Sequence, residues 1–550
     1  MITPKSRSRL VALILATVLV LILASCQSAV TTAPTTRVTT TQATTVATTT
    51  TTEAPSNFNP TGYPIVKEKI TLSVTGARNS FCPSWQDTIM VQEIEEMFNI
   101  ILDCQEFAGE DWAVQKGLLF ASGSLPDLFV AANFSLNEVA DYGAQGFLAP
   151  MNAYIADYGE NTRAVFAKNV DMERLCTSPD GNIYTLVEGS AIPANLANRN
   201  WINEVWLENV GLSYPKTLDE LYIVLKAFKE QDANGNGDPN DEIPASGRIL
   251  DEIVLNALGF PLRSWSGLSF YLKDGKPAVV CTDDLYKVYL QYMRTYYAEG
   301  LLDSTTFIQT AQELQAKMAQ GRVGAYTVAA PWLYESEKTA FDYRYFGGLT
   351  SAYNSTPIVG ASNGLIAQGR VAIGSKNENP EASFRLFDYF YSDEGSTFGF
   401  IGSENVGWKW VDQAKGAWAR VIPSDWKDTD EAYRNGVLII GGWNIYRDTG
   451  WKLFAPTGNN IWLFDQYTDN AVPYFKDIFP TVVFTEDEQK KNATLTTDLT
   501  SYINDTTVRF ILGEIDIESG WAGFQKTLSD MGIGELVANN TAAYNRFMGQ

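Results

Sequence analysis

Ile70-Thr-Leu-Ser-Val-Thr75, Gln86-Asp-Thr-Ile-Met-Val-Gln-Glu-Ile-Glu-Glu-Met-Phe98, Ile100-Ile-Leu102, residues 112–121 and Asp127-Leu-Phe-Val130 follow one another near the start of the chain. Their hydrophobic pattern switches between the strand period of about 2 and the helical period of about 3.6. The first segment alternates as a strand does, whereas the second sets Ile89, Met90, Ile94 and Met97 along one helical face with Glu93 among them. Residues 100–102 begin a second strand, 112–121 form a helix stopped by Gly123 and Pro126, and 127–130 read as a buried strand. Strand, helix, strand, helix, strand predicts α/β architecture with parallel strands. Further helices are expected at 218–229, 284–299 and 380–391, each bounded by Gly, Pro or Asp.

The chain around this pattern has 550 residues, 45% hydrophobic, 12% aromatic and 19% charged, enough for a large core in two to four domains. It contains no histidine, which excludes Ser-His-Asp triads, Cys-His dyads, His-ligated zinc or haem, and imidazole switches. Acids outnumber bases by 64 to 41, so no nucleic-acid partner is expected.

Lys5, Arg7 and Arg9 precede an apolar run over residues 10–24, the order of a secretory signal occupying residues 1–25. Leu23-Ala24-Ser25-Cys26 resembles a bacterial lipobox, which implies cleavage before Cys26, diacylglycerol on its sulfur, and attachment to the outer face of the cell membrane. Lipid chains contribute about 0.8 kcal/mol per buried CH₂. Residues 26–63, rich in Thr with Ala, Val and Pro, read as a linker that lets a folded body stand off the surface. Of the remaining cysteines, Cys82, Cys104, Cys176 and Cys281 are widely spaced without a CxxC motif, and neither a specific bridge nor a thiolate metal site is expected.

Asp232-Ala-Asn-Gly-Asn-Gly-Asp-Pro-Asn-Asp-Glu242 carries one metal signal. Asp232, Asn234 and Asn236 offer side-chain oxygens at alternate positions, glycines allow the tight turn, the Asp238 carbonyl can add a donor, and Asp241 and Glu242 close the loop. This is the first half of an EF-hand-type loop for structural Ca²⁺, with its terminal acids early because position twelve is Ile243. A solvated Asn/Gly turn is the plainer alternative.

Eight stretches, in order along the chain, resemble extracellular solute-binding proteins of carbohydrate ATP-driven (ABC) importers, in the group of the maltodextrin- and alginate-oligosaccharide-binding proteins. They are Ala121-Ser-Gly-Ser-Leu-Pro-Asp-Leu-Phe129, Thr177-Ser-Pro-Asp-Gly-Asn-Ile-Tyr184, residues 201–212, Lys216-Thr-Leu-Asp-Glu-Leu221, residues 232–244, Ala319-Gln-Gly-Arg-Val-Gly-Ala325, Ser375-Lys-Asn-Glu-Asn-Pro-Glu-Ala382 and Asp388-Tyr-Phe-Tyr-Ser-Asp-Glu-Gly395. The resemblance implies the two-lobed type II periplasmic-binding-protein-like fold, with discontinuous lobes, a hinge and an interlobe cleft. Crossovers are placed near 186–190, 356–362 and 402–410. Lobe one then takes residues 64–187 with 358–405, and lobe two 188–357 with 406–550. The alginate-binding relatives share a shortened calcium loop.

By the same resemblance, solute contacts fall on Asn79 and Trp85 after the first strand, Asn133 after residues 127–130, Glu188 at the first crossover, and Trp332 after the Gly-Arg-Val-Gly stretch. Trp408 and Trp410 near the third crossover, and Trp443 in a Gly-flanked loop, are further candidate stacking platforms. Arg370 can face an acidic solute or sit in a surface ion pair. The implied function is a lipid-anchored extracellular receptor that captures an oligosaccharide by lobe closure and passes it to ABC permease subunits, acting as a monomer and without catalysis. No nucleophile elbow, phosphate-binding glycine loop or dinucleotide fingerprint is present. A surface glycoside hydrolase and a calcium-dependent adhesion protein are the alternatives.

Overall fold

The computed structural model describes residues 56–79, 82, 84–190, 199–263, 265–328, 330–335, 339–361, 365–413, 417–421, 437–438, 442–443, 445–447, 462, 465–466 and 468–549. The expected signal, Cys26 and most of the expected linker lie outside these residues. The folded body begins earlier than residue 64. Arg385 donates to the Asn59 carbonyl at 2.6 Å, and the Tyr63 ring packs edge-on against Phe98 and Tyr389, so residues 56–63 are docked chain.

The strand Ile70–Arg78 pairs in parallel with Ile100–Ala108 on one side and Leu128–Val130 on the other, through the helices Ile89–Phe98 and Trp112–Ser122. Thr88 caps the first helix by accepting the Val91 N–H, and Asn99 ends it in the left-handed region. Met90, Val91, Ile94 and Phe98 are its buried face. The full sheet of this lobe has the spatial order Tyr446–Arg447, Thr185–Ser190, Leu365–Ile373, Leu128–Val130, Ile70–Arg78, Ile100–Ala108, with Leu365–Ile373 the antiparallel member.

Lobe two has a four-stranded sheet in the order Tyr343–Tyr345, Arg199–Asn203, Val323–Val328, Ile243–Ala245. Its main core joins the helices Leu218–Glu230, Ile249–Ala257 and Asp284–Ala298 to Leu499, Ile503, Phe510 and Ile511 of the long helix Glu486–Leu512. The last helix, Ile533–Phe547, starts in the lobe-two core with Ile533 and Leu536 and ends in the lobe-one core with Ala543 and Phe547.

The assignment of 406–550 wholly to lobe two needs correction. Val437, Leu438, Trp443 and Ile445 are buried in the lobe-one core, and Tyr446–Arg447 pairs with Thr185–Ser190. Trp462 then stacks on Trp201 of lobe two at 5.5 Å. The crossing placed near 402–410 therefore lies beyond residue 447.

Among the described residues, Cys104, Cys176 and Cys281 form no disulfide. Burial pushes the thiols of Cys104, Cys176 and Cys281 up to about 12. Among the described residues, no helix is long and apolar enough to cross a membrane.

Candidate functional site

The direction of the strands locates the joint between the lobes. Thr185–Ser190 runs parallel to Tyr446–Arg447 and antiparallel to Leu365–Ile373, so it runs with the other lobe-one strands and Ser190 lies at their carboxyl edge. Arg199, where lobe two's sheet starts, sits beside Val328, the carboxyl end of Val323–Val328. The link between residues 190 and 199 therefore joins the carboxyl edges of both sheets. In open α/β sheets this edge, where loops diverge, is the ordinary ligand edge.

Two residues after Leu128–Val130 adopt left-handed backbone, Ala131 with φ 52 and Asn133 with φ 50. Backbone bonds from Ala132 to the Arg370 carbonyl (2.9 Å) and from Phe134 to the Gly369 carbonyl (3.0 Å) hold this loop to the neighbouring strand. Gly369 is required there. Its φ is +58, and a Cβ would stand 2.2 Å from the Phe134 oxygen. The irregular register of Leu365–Ile373 around this glycine turns Arg370 inward. Its Nη1 donates to Asn133 Oδ1, and its Nε lies 3.0 Å from Glu188 Oε2, with only 9% and 4% of the two side chains exposed. Asn133, Arg370 and Glu188 thus tie together the loop, the returning strand and the departing strand.

Beside this cluster a cavity of about 820 Å³ separates the lobes. Asn133, Phe134, Ser135, Ala367 and Gln368 line it from lobe one, while Leu262, Arg263, Ser266 and Ser269 line it from lobe two. The segment from Ile478 to Phe484 and Asn540 close one side, and among the described lining residues Arg263 alone is charged.

At the lobe-two edge, Asn200 is buried, accepts from Thr327 Oγ1 at 2.8 Å and faces Glu252 Oε1 at 3.4 Å. Enclosure of the Glu252 carboxyl, only partly offset by Asn200 and the Arg263 charge, pushes it up to about 8, although part of the residue reaches solvent. A carboxyl raised in the folded state and ordinary in the unfolded one contributes stability below the unfolded value, and that contribution is lost as pH rises through about 8. Glu252→Gln is expected to flatten the decline in thermal midpoint between pH 5 and 9; equal slopes in both proteins would contradict this protonation.

The loop after the helix Leu218–Glu230 curls on its own side chains. Asp232 Oδ2 accepts from Gly237 N–H (2.9 Å), Asn234 Oδ1 from Asn236 N–H (2.9 Å) and Asn236 Oδ1 from Asp238 N–H (2.7 Å). The Asn234 and Asn236 carboxamides donate to the Asp241 carboxylate at 2.8 and 3.1 Å. Asp232 Oδ1 and Glu242 Oε2 are buried without a hydrogen-bond partner among the described residues, and burial with the nearby Asp241 and Asp232 charges raises the Glu242 carboxyl. No cluster of three or more His, Cys, Asp or Glu in metal geometry occurs among the described residues. The donors are instead mixed carboxylates and carboxamides, and the two orphaned oxygens fit a hard cation that prefers oxygen.

A protein-family model for bacterial extracellular solute-binding proteins matches residues 108–397, just over half of the chain. The chain belongs to this solute-binding family. Among its relatives is the fructooligosaccharide ABC transporter substrate-binding protein FusA of Streptococcus pneumoniae, 25% identical over 88% of this chain and 91% of FusA. The solved structure of FusA in complex with kestose covers 87% of this chain and 99% of FusA, with 24% identity and a TM-score of 0.67. An extracellular solute-binding protein from Bifidobacterium longum subsp. infantis superposes with a TM-score of 0.73 at 20% identity, over 87% of this chain and 98% of its own. The alginate-binding protein AlgQ2, solved without calcium ion, gives a TM-score of 0.62 at 22% identity, over 87% and 99% of the two chains. An EF-hand mutant of FusA has also been solved, with fructo-nystose, at 23% identity and a TM-score of 0.66 over 87% and 99%. These likenesses agree on the type II solute-binding fold.

Within this solute-binding protein, the expected contact residues divide. Asn79 is exposed at the end of the first strand, Asn133 faces the interlobe cavity, and Glu188 is buried under Arg370. Trp332 belongs to the short turn Pro331–Leu333 directly after Val323–Val328; its side chain lies outside the described residues. Trp85 and Trp443 are corrections. Trp85 is wholly buried in the lobe-one core, and Trp443 is buried and stacked on Phe390 at 5.0 Å, so neither ring offers a face to a solute in this structure. Trp408 is also buried, donating its indole N–H to the Gly402 carbonyl at 3.0 Å and packing edge-on against the partly exposed Trp410. Arg370 belongs to a buried ion pair rather than a surface one. Asn200, Thr327, Glu252, Arg263 and Gln368 went unnoticed in the sequence because no local motif links them.

Proposed function

We propose that the protein is a lipid-anchored extracellular receptor that captures an oligosaccharide between its lobes and delivers it to an ABC permease. The observation that carries this reading is the link between residues 190 and 199, which sets the carboxyl edges of both sheets at the joint. A solute bridging those edges contacts both lobes only when they are closed, so its differential affinity shifts the population to the closed form. FusA binds kestose and is itself a fructooligosaccharide ABC transporter substrate-binding protein, which supports an oligosaccharide as the solute class. The lipobox at Cys26 supplies the anchor and the Thr-rich tract its spacer. The loop from Asp232 to Glu242 holds structural Ca²⁺, a reading supported by its two orphaned buried carboxylate oxygens.

Calorimetric titration with fructo-, malto- and uronate oligosaccharides tests this reading. One series is expected to saturate at one site per chain without product formation. Absence of binding throughout, or cleavage of the saccharide, would overturn it. Trp332→Ala is expected to weaken that binding by about tenfold, the loss of one stacked aromatic. An unchanged Kd would remove Trp332 from the site.

A further inference from the structure

On lobe two, away from the joint, the helices Leu218–Glu230 and Asp284–Ala298 leave between them a cavity of about 540 Å³. It shares no lining residue with the interlobe cavity. Its walls include Tyr222, Tyr292, Tyr296 and Tyr353, with Ile223 at the rim and Asp219 as its only charged side chain among the described residues. Tyr353 and Ile223 are 55% and 54% exposed, so this side of the cavity opens to solvent. Tyr296 is fully buried, and its hydroxyl has no hydrogen-bond partner among the described residues.

The lining combines four tyrosines with one carboxylate and no basic side chain among the described residues, a negative interior. The aromatic quadrupole attracts a cation within about 6 Å of the ring centre, and a weakly hydrated quaternary ammonium loses little in leaving water. This chain already uses one of these rings that way: Lys226 Nζ lies 5.7 Å from the centre of Tyr222, whose hydroxyl donates to Glu299 at 2.7 Å. Asp219, Tyr292, Tyr296 and Tyr353 line one space, where burial first and then the Asp219 charge raise the Tyr292 hydroxyl. An anionic ligand would meet the Asp219 carboxylate uncompensated, whereas a cation complements it.

From this charge complementarity we infer that the cavity between these helices is a second ligand site, for an organic cation of the quaternary ammonium class, held by Tyr292, Tyr353 and Asp219.

The test is calorimetric titration of the purified chain with choline chloride and tetramethylammonium chloride, against sodium chloride at equal ionic strength. The uncharged isostere of choline, 3,3-dimethyl-1-butanol, separates charge from shape. Both cations are expected to bind at one site, with the isostere about tenfold weaker or worse. Asp219→Asn and Tyr353→Ala, both at exposed positions, should each weaken the cations by about tenfold, while Tyr292→Phe, which keeps the ring face, should bind as the parent does. Equal binding of the isostere would overturn the cation site, as would unchanged titrations in both Asp219→Asn and Tyr353→Ala. An oligosaccharide whose binding is lost in Tyr353→Ala would make the cavity a sugar platform and refute the inference. The choline, tetramethylammonium and isostere titrations leave saccharide capture at the joint untouched, whereas loss of saccharide binding in Tyr353→Ala would count against both readings.

Discussion

Replacing Arg370 with alanine is expected to destabilise the protein by about 3–5 kcal/mol, the cost of leaving one partner of a buried ion pair behind. Glu188 keeps only 4% of its side chain exposed, and the Arg370 guanidinium also satisfies the Asn133 carboxamide across the loop. Without it, a carboxylate remains in a low-dielectric pocket, and the loop carrying Asn133 loses its tether to the returning strand. Glu188→Gln with Arg370→Gln removes both charges, and this double variant is expected to recover most of the stability lost in Arg370→Ala. Urea unfolding of the three proteins measures this. A single variant that unfolds within about 0.5 kcal/mol of the parent would show that the pair is not a buried one. The pair also lies where the chain leaves lobe one at Ser190, so saccharide affinity should fall with the first substitution and return with the second.

Calcium removal is the other large effect. A ligand present at about a thousand times its Kd stabilises the state that binds it by about 4.1 kcal/mol. Chelation should therefore lower the thermal midpoint of the parent strongly, and calcium should restore it. In the loop, Asp232 Oδ1 and Glu242 Oε2 are left without partners, while Asp241 takes the two carboxamides. Asp241→Ala with Glu242→Ala removes two of the loop's four carboxylates, so the double variant should melt at the chelated midpoint with or without calcium. A calcium-dependent midpoint that persists in that variant would place the ion elsewhere.

The elements of the first lobe were legible because each is decided locally. The apolar face of residues 86–98, the glycine at 123 and the alternation after Ile70 put strands and helices within a few residues of where they lie. The order of the strands was not legible from the pattern. Tyr446–Arg447 returns to pair with Thr185–Ser190 from far along the chain, and a two-residue strand has no periodicity to detect. The site suffered in the same way. Asn133 and Arg370 are 237 positions apart, and their contact depends on the bulge at Gly369 rather than on any motif. Tryptophan burial was misread for a physical reason. A large aromatic ring in a Gly-flanked or post-strand segment looks available in sequence, but the Trp85 ring fills the core under Gly76 and Trp443 stacks on Phe390 inside it. The oxygen-rich turn from Asp232 to Glu242 was readable because its side chains are contiguous.

Among the described residues, Cys104, Cys176 and Cys281 enter no disulfide. Because burial holds these three thiols far from their reactive form, a cysteine engineered at the exposed rim of either lobe would dominate maleimide labelling. Two such positions, one on each side of the joint, would turn the native protein into a fluorescence ruler for the distance between its halves.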